Sequence, residues 1–135
     1  MASPVARVGS ATRQPPAPVR AAKISAAAKA ASVLVATGFS YRSASRARQA
    51  AVLPALLPAV RDIRSSGSAA LDLCWVAAGR CDAYYEDRLA LWGWAAGALI
   101  VCEASGTALP FADGVVAAGP ALYSAVRALV TGDRP

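Results

Sequence analysis

Hydrophobic and polar positions along this chain switch between two periods, and the switches mark out strands and helices in turn. Ser32-Val33-Leu34-Val35-Ala36-Thr37-Gly38-Phe39 is a continuous apolar, β-branched run closed by glycine, which predicts a strand covered on both faces. A second short strand is expected around Val60 to Arg64. Cys81 to Glu86 alternates, placing Cys81, Ala83 and Tyr85 on one face and Asp82, Tyr84 and Glu86 on the other. Gly114 to Gly119 reads as a last buried strand.

Helical spacing fills the intervals. Ser43 is placed to cap a helix over about 44–53, with Ala44, Ala47 and Ala51 on one face. Arg42, Arg46 and Gln49 fall opposite, as a solvated basic side, and Pro54 and Pro58 break or end the helix. After Gly67, the residues Leu71, Cys74, Trp75 and Ala78 predict a buried stripe, with Gly79 as a left-handed cap. Trp92 to Glu103 predicts a buried helix with Trp92, Ala95, Ala96, Leu99 and Cys102 along one face. Gly93 and Gly97, four apart, permit close helix contact. Pro120 starts a final helix whose Leu122, Val126 and Leu129 pack inward. The alanine-rich stretch from Ser25 to Ser32 is compatible with one more helical segment. The alternation predicts the α/β class, a layered mixed β-sheet with flanking helices. Its organisation is a Pro-, Arg- and Ala-rich lead-in at 1–20, one α/β unit over 21–132 and a tail at 133–135.

Composition narrows the picture. At 135 residues the chain holds one domain with a core. Its 56% hydrophobic content exceeds the usual figure of about 45–50% because alanine is abundant. The longest uncharged apolar run, Leu89 to Cys102, is 14 residues, short of the roughly 20 that cross a bilayer. No membrane association is expected. The N-terminus lacks an apolar signal region, so a reducing cytoplasm is the expected compartment, and Cys74, Cys81 and Cys102 are expected to act as small buried apolar residues. With no histidine in the sequence, His-dependent triads and the usual zinc sites are excluded.

Charge is uneven. Residues 1–61 carry nine Lys or Arg and no acid, whereas 62–135 carry five basic and eight acidic residues. An acid-free basic arm suits organelle import or nucleic-acid contact. Adjacent basic residues and interleaved aromatics are missing, and a coding bias toward Ala, Arg and Pro explains it more simply. No nucleic-acid partner is expected.

The chemistry concentrates in residues 61–106, RDIRSSGSAALDLCWVAAGRCDAYYEDRLALWGWAAGALIVCEASG. Blocks of the forms R-x-x-G-S-A-A-L-D-L and G-R-x-D-A-Y-Y-E stand here in order, followed by a W-x-x-A-A-G helix and E-A-S-G. This stretch resembles the C-terminal half of the inositol monophosphatase family, Mg²⁺-dependent phosphatases of small phosphorylated alcohols. Thr37-Gly38-Phe39 and the chain's last strand and helix match as well. The resemblance implies that the turn of Gly67, Ser68 and Ala69 lines a substrate pocket through its backbone, where a helix N-terminus favours an anionic or hydroxyl-rich ligand. It implies also that Glu86 accepts hydrogen bonds from substrate hydroxyls.

Two departures from the family pattern bear on activity. Gly93 follows Trp92 where the family has an aspartate that ligates magnesium, and glycine offers no side-chain oxygen to a hard cation. The upstream glutamate motif and the D-P-x-D-G-T loop are not present either. The resemblance thus implies a phosphomonoester hydrolase, acting on inositol phosphate or a related sugar or alcohol phosphate. As this chain it is expected to be inactive or weak, with doubtful Mg²⁺ binding. The alternatives are a non-catalytic binding remnant and the C-terminal part of a split or mis-started phosphatase. Expected partners are a small phosphorylated alcohol or sugar, a second copy, or a complementing N-terminal half.

Overall fold

The computed structural model describes residues 23–132; the lead-in at 1–20, the start of the α/β unit and the tail at 133–135 lie outside the described residues. The chain runs β1 (Leu34–Thr37), α1 (Ser43–Ala50), α2 (Leu53–Leu56), β2 (Asp62–Arg64), α3 (Ala69–Ala77) and β3 (Ala83–Glu86). It continues with α4 (Leu91–Glu103), β4 (Thr107–Phe111), β5 (Gly114–Ala118) and α5 (Tyr123–Thr131). Among the described residues, five strands form one mixed sheet in the order β2-β1-β3-β5-β4. β1 is parallel to β2 and β3, whereas β5 is antiparallel to both β3 and β4.

Alternating side chains of the central strands feed two separate cores. Val35, Tyr85, Val116 and Ala118 face α2 and α5, together with Leu56, Leu122, Val126 and Val130. Ala36, Tyr84, Val115 and Ala117 face α3 and α4, where Leu73, Val76, Ala77 and Val101 meet them. A sheet covered on both sides explains why β1 and β5 read as unbroken apolar runs. Cys81 lies before β3 and packs with Tyr84, across the sheet from Ala83 and Tyr85.

Several elements depart from the expected pattern. Ser25 to Ser32 contains only a 3₁₀ turn at Ala30–Ser32. Ser43 is the first residue of α1 and not its cap; Arg42 holds the cap position without a side-chain bond. Pro54 sits in the first turn of α2, where its missing N–H costs nothing, so it begins a short helix. β4 forms an edge hairpin with β5, and its Pro110 is tolerated because an edge strand has a free side. α5 starts three residues after Pro120, buries Val126 and Val130, and ends at Gly132 with a left-handed φ of 77°. Cys102 is exposed and only Cys81 is buried, so the cysteines do not share one environment.

The helix faces are also rotated. In α3 the buried residues are Asp72, Leu73, Val76 and Ala77, while Leu71 is 43% exposed and Ala78 is exposed. In α4 the buried residues are Gly97, Ala98 and Val101. The face carrying Trp92, Ala95, Ala96, Leu99 and Cys102 is turned to solvent, with Trp92 at 90% exposure. Packing distance decides this. A β-carbon on Gly97 would lie 2.7 Å from Leu73 Cβ, so α4 presents its smallest residues to α3. Gly79 does end α3, with a φ of 70°.

Candidate functional site

Glu86 ends β3 at the edge of the α3–α4 core. Its Oε2 accepts a hydrogen bond from the Tyr84 hydroxyl at 2.5 Å. Two glycines let the surrounding chain close on it. A β-carbon on Gly38 would come 2.0 Å from Glu86 Oε2, and one on Gly114 would come 1.9 Å from the Glu86 carbonyl oxygen. Thr37 adds a bond from its hydroxyl to the Tyr85 carbonyl at 2.7 Å, locking the ends of β1 and β3 together. Burial raises the Glu86 carboxyl above its usual range; the Tyr84 hydroxyl opposes the rise, and Asp72 and Asp87 add to it. Burial and the Glu86 bond push Tyr84 well above the usual phenol range, so it stays a donor.

Gly67 lies across a cleft of about 490 Å³ from this carboxylate, a volume within the range of small-molecule sites. The turn before α3 is built by short polar side chains. Ser68 caps the helix by accepting from the Leu71 N–H at 3.3 Å, and its own N–H donates to Ser66 Oγ at 3.2 Å. Gly67 has a φ of 85°, a conformation that suits glycine. Gly67 and Ala69 line the cleft together with Glu86; Ser68 holds the turn and is not part of the lining. Gly38, Phe39, Tyr41, Arg46, Ser65 and Leu89 complete the walls.

Gln49, read from the sequence as part of a solvated face, is 6% exposed and ties the site together. Its Oε1 accepts from the Ser40 N–H at 2.9 Å, and its Nε2 donates to Asp87 Oδ1 at 2.6 Å. It thereby pins the loop after β1 to the loop after β3. Ala44, Ala47 and Ala51 are the exposed side of this helix. The signal available in the sequence was the polar residue itself: a glutamine supplies both donor and acceptor to two buried backbone turns. Asp82 has a similar bracing role, accepting from the Ser25 hydroxyl and, at 2.7 Å, from the Leu34 N–H.

Asp72 is the unresolved charge. It is 1% exposed, and neither carboxylate oxygen has a hydrogen-bond partner among the described residues. Burial raises its pKa above the usual carboxylate range; nearby Ser66 eases the rise without reaching hydrogen-bond geometry.

The carboxylates of the described residues do not gather. No group of three His, Cys, Asp or Glu among the described residues is placed to hold a metal ion. Glu86 is occupied by Tyr84, and Asp87 by Gln49 and, at 4.0 Å, by Arg48. Gly93 has open space where a side chain would stand. No helix of the described residues is long and apolar enough to cross a membrane.

The sequence profile of the inositol monophosphatase family matches residues 3–134. An inositol-1-monophosphatase of Mycobacterium leprae is 52% identical over 103 residues, covering 70% of this chain and 35% of that protein. A Nus factor SuhB of Xylella fastidiosa is 54% identical over 76 residues, covering 56% of this chain and 28% of that protein. The solved structure of Mycobacterium tuberculosis SuhB superposes with a TM-score of 0.76 at 43% identity, covering 82% of this chain and 45% of that one. The chain spans about a third of the length of these curated relatives and less than half of the solved structure.

Proposed function

This chain belongs to the inositol monophosphatase family, and from that premise we propose that it carries the polyol-recognising side of a phosphomonoester pocket. The observation that carries the reading is that Glu86 and the Gly67 turn line one cleft. A carboxylate accepts hydrogen bonds from vicinal hydroxyls, and a helix N-terminal turn offers amide donors to ligand oxygens. The ligand class is a small phosphorylated alcohol or sugar, inositol 1-phosphate being the natural probe.

Hydrolysis is a separate matter. Metal-assisted phosphoryl transfer needs several anionic oxygens around the ions. The described residues bring no such set together, and Gly93 supplies no ligand where the family pattern has aspartate. These residues do not fit a Mg²⁺ site, and no chemical step is derived through one. The chain by itself binds the alcohol phosphate without hydrolysing it at a measurable rate.

A second reading has its own support. The solvent-facing apolar side of α4, with Leu91 63%, Trp92 90% and Leu99 62% exposed, suits a chain that works against a complementing N-terminal half of the family fold. That half would bring the carboxylates, and the assembly would be the phosphatase.

Phosphate release from inositol 1-phosphate at millimolar Mg²⁺, on the chain and on its Gly93→Asp variant, tests the reading. No release from either is expected. Turnover by the chain as it stands would overturn it; turnover only after an N-terminal half is added would move the assignment to the second reading.

A further inference from the structure

The cleft is lined by one guanidinium and one carboxylate, and we infer that Arg46 is the anion-holding residue that makes it prefer phosphorylated polyols over neutral ones without any metal. This rests on the reading of the cleft as a polyol site and deepens it. Arg46 and Glu86 are the two ionisable carriers of opposite sign among the lining residues, with Tyr41 the other titratable group there. Arg46 stands on α1, and its guanidinium carbon lies 5.7 Å from the centre of the Phe39 ring, within cation–π range. Its Nη1 donates to the Ser40 carbonyl at 3.3 Å. These two contacts hold the planar head beside the cleft while leaving most of its five donors uncommitted.

No carboxylate among the described residues neutralises this head. The ion pairs among the described residues are Arg48–Asp87, Arg64–Asp62 and Arg88–Asp113, and Arg46 is in none of them. A cation held in place without a counterion is prepared for an anionic ligand, and a guanidinium matches phosphate oxygens in a two-pronged fashion. Glu86 gives the arrangement its direction. Its carboxylate repels a phosphate and accepts hydroxyls, so the hydroxyl end of a ligand lies toward Glu86 and the Gly67 turn, and the phosphate toward Arg46. The buried Gln49 supports this placement, because it fixes Ser40, the residue whose carbonyl receives Arg46.

The test is titration calorimetry in EDTA with inositol, inositol 1-phosphate and inorganic phosphate, on the chain and on Arg46→Gln and Arg46→Lys. The chain is expected to bind inositol 1-phosphate at least about tenfold more tightly than inositol, the scale of one charged hydrogen-bonded contact. Arg46→Gln should abolish that preference while leaving inositol affinity unchanged, and Arg46→Lys should restore part of it. An Arg46→Gln protein that keeps both its inositol affinity and its full preference for the phosphate overturns the inference and leaves the polyol site standing. Failure of the unaltered chain to bind either polyol overturns the polyol reading itself, and the role of Arg46 with it.

Discussion

Gly38 lies so close to Glu86 that a β-carbon at position 38 would stand 2.0 Å from the carboxylate oxygen Oε2. The glycine that closes β1 is therefore part of the cleft and not only a strand terminator. Gly38→Ala should push the carboxylate aside, because the far end of a side chain yields more easily than backbone. Stability is expected to fall by no more than about 1–3 kcal/mol, the usual scale of overpacking, while polyol binding is lost. Calorimetric titration beside a thermal melt checks both halves.

Gly114→Ala should behave in the opposite way. There the added carbon would meet the Glu86 carbonyl oxygen at 1.9 Å and Asp87 Cα at 2.7 Å. Backbone cannot swing away, so the loss of stability should reach or pass the top of that range of about 1–3 kcal/mol. Urea unfolding of the two variants side by side separates a site defect from a fold defect.

Asp72→Asn should stabilise the chain at neutral pH by about 1–3 kcal/mol, because a neutral amide takes the place of a buried carboxylate without a partner among the described residues. The sign follows from linkage. Burial raises the folded-state pKa of Asp72 above its ordinary value of 3.8, so the folded protein holds the proton to higher pH than the unfolded chain. That contribution is fully present below the ordinary value and is lost as pH rises through the folded one. The advantage of asparagine should be near zero in acid and grow with pH, as measured by denaturant midpoints across the range.

Gly93→Asp meets open space and sits in the first turn of α4, a turn that carries no acidic residue. Replacing a helical glycine and adding a negative charge near the helix N-terminus should together stabilise by about 1 kcal/mol. Millimolar Mg²⁺ should leave the melting temperature of this variant unchanged, since one carboxylate does not make a cage. A metal-dependent rise in the melt would reveal ligands beyond the described carboxylates.

The central strands were legible because burial on both faces leaves a run of β-branched and apolar residues with no polar interruption, as at Val33 to Ala36 and Val115 to Ala118. The faces of α3 and α4 were not. α4 is apolar all round, so periodicity carries no phase, and the contact with Leu73 through Gly97 sets which side turns inward. In α3 the polar Asp72 lies on the buried face, nearly opposite the expected stripe, so the periodicity pointed to the wrong side. The pairing of Gly67 and Ala69 with Glu86 came from matching whole blocks of sequence. The roles of Gln49, Gly38 and Arg46 depend on loops meeting across the sheet, which no local pattern records.

The central claim is that the Gly67 turn and Glu86 grip a phosphorylated polyol without metal. Amide chemical shifts of the ¹⁵N-labelled chain, recorded in EDTA as inositol 1-phosphate is added, address it most directly. Saturable shifts at the Gly67, Ala69 and Glu86 amides, reduced in Glu86→Gln, are the predicted result. A titration that leaves these amides unmoved would contradict the account.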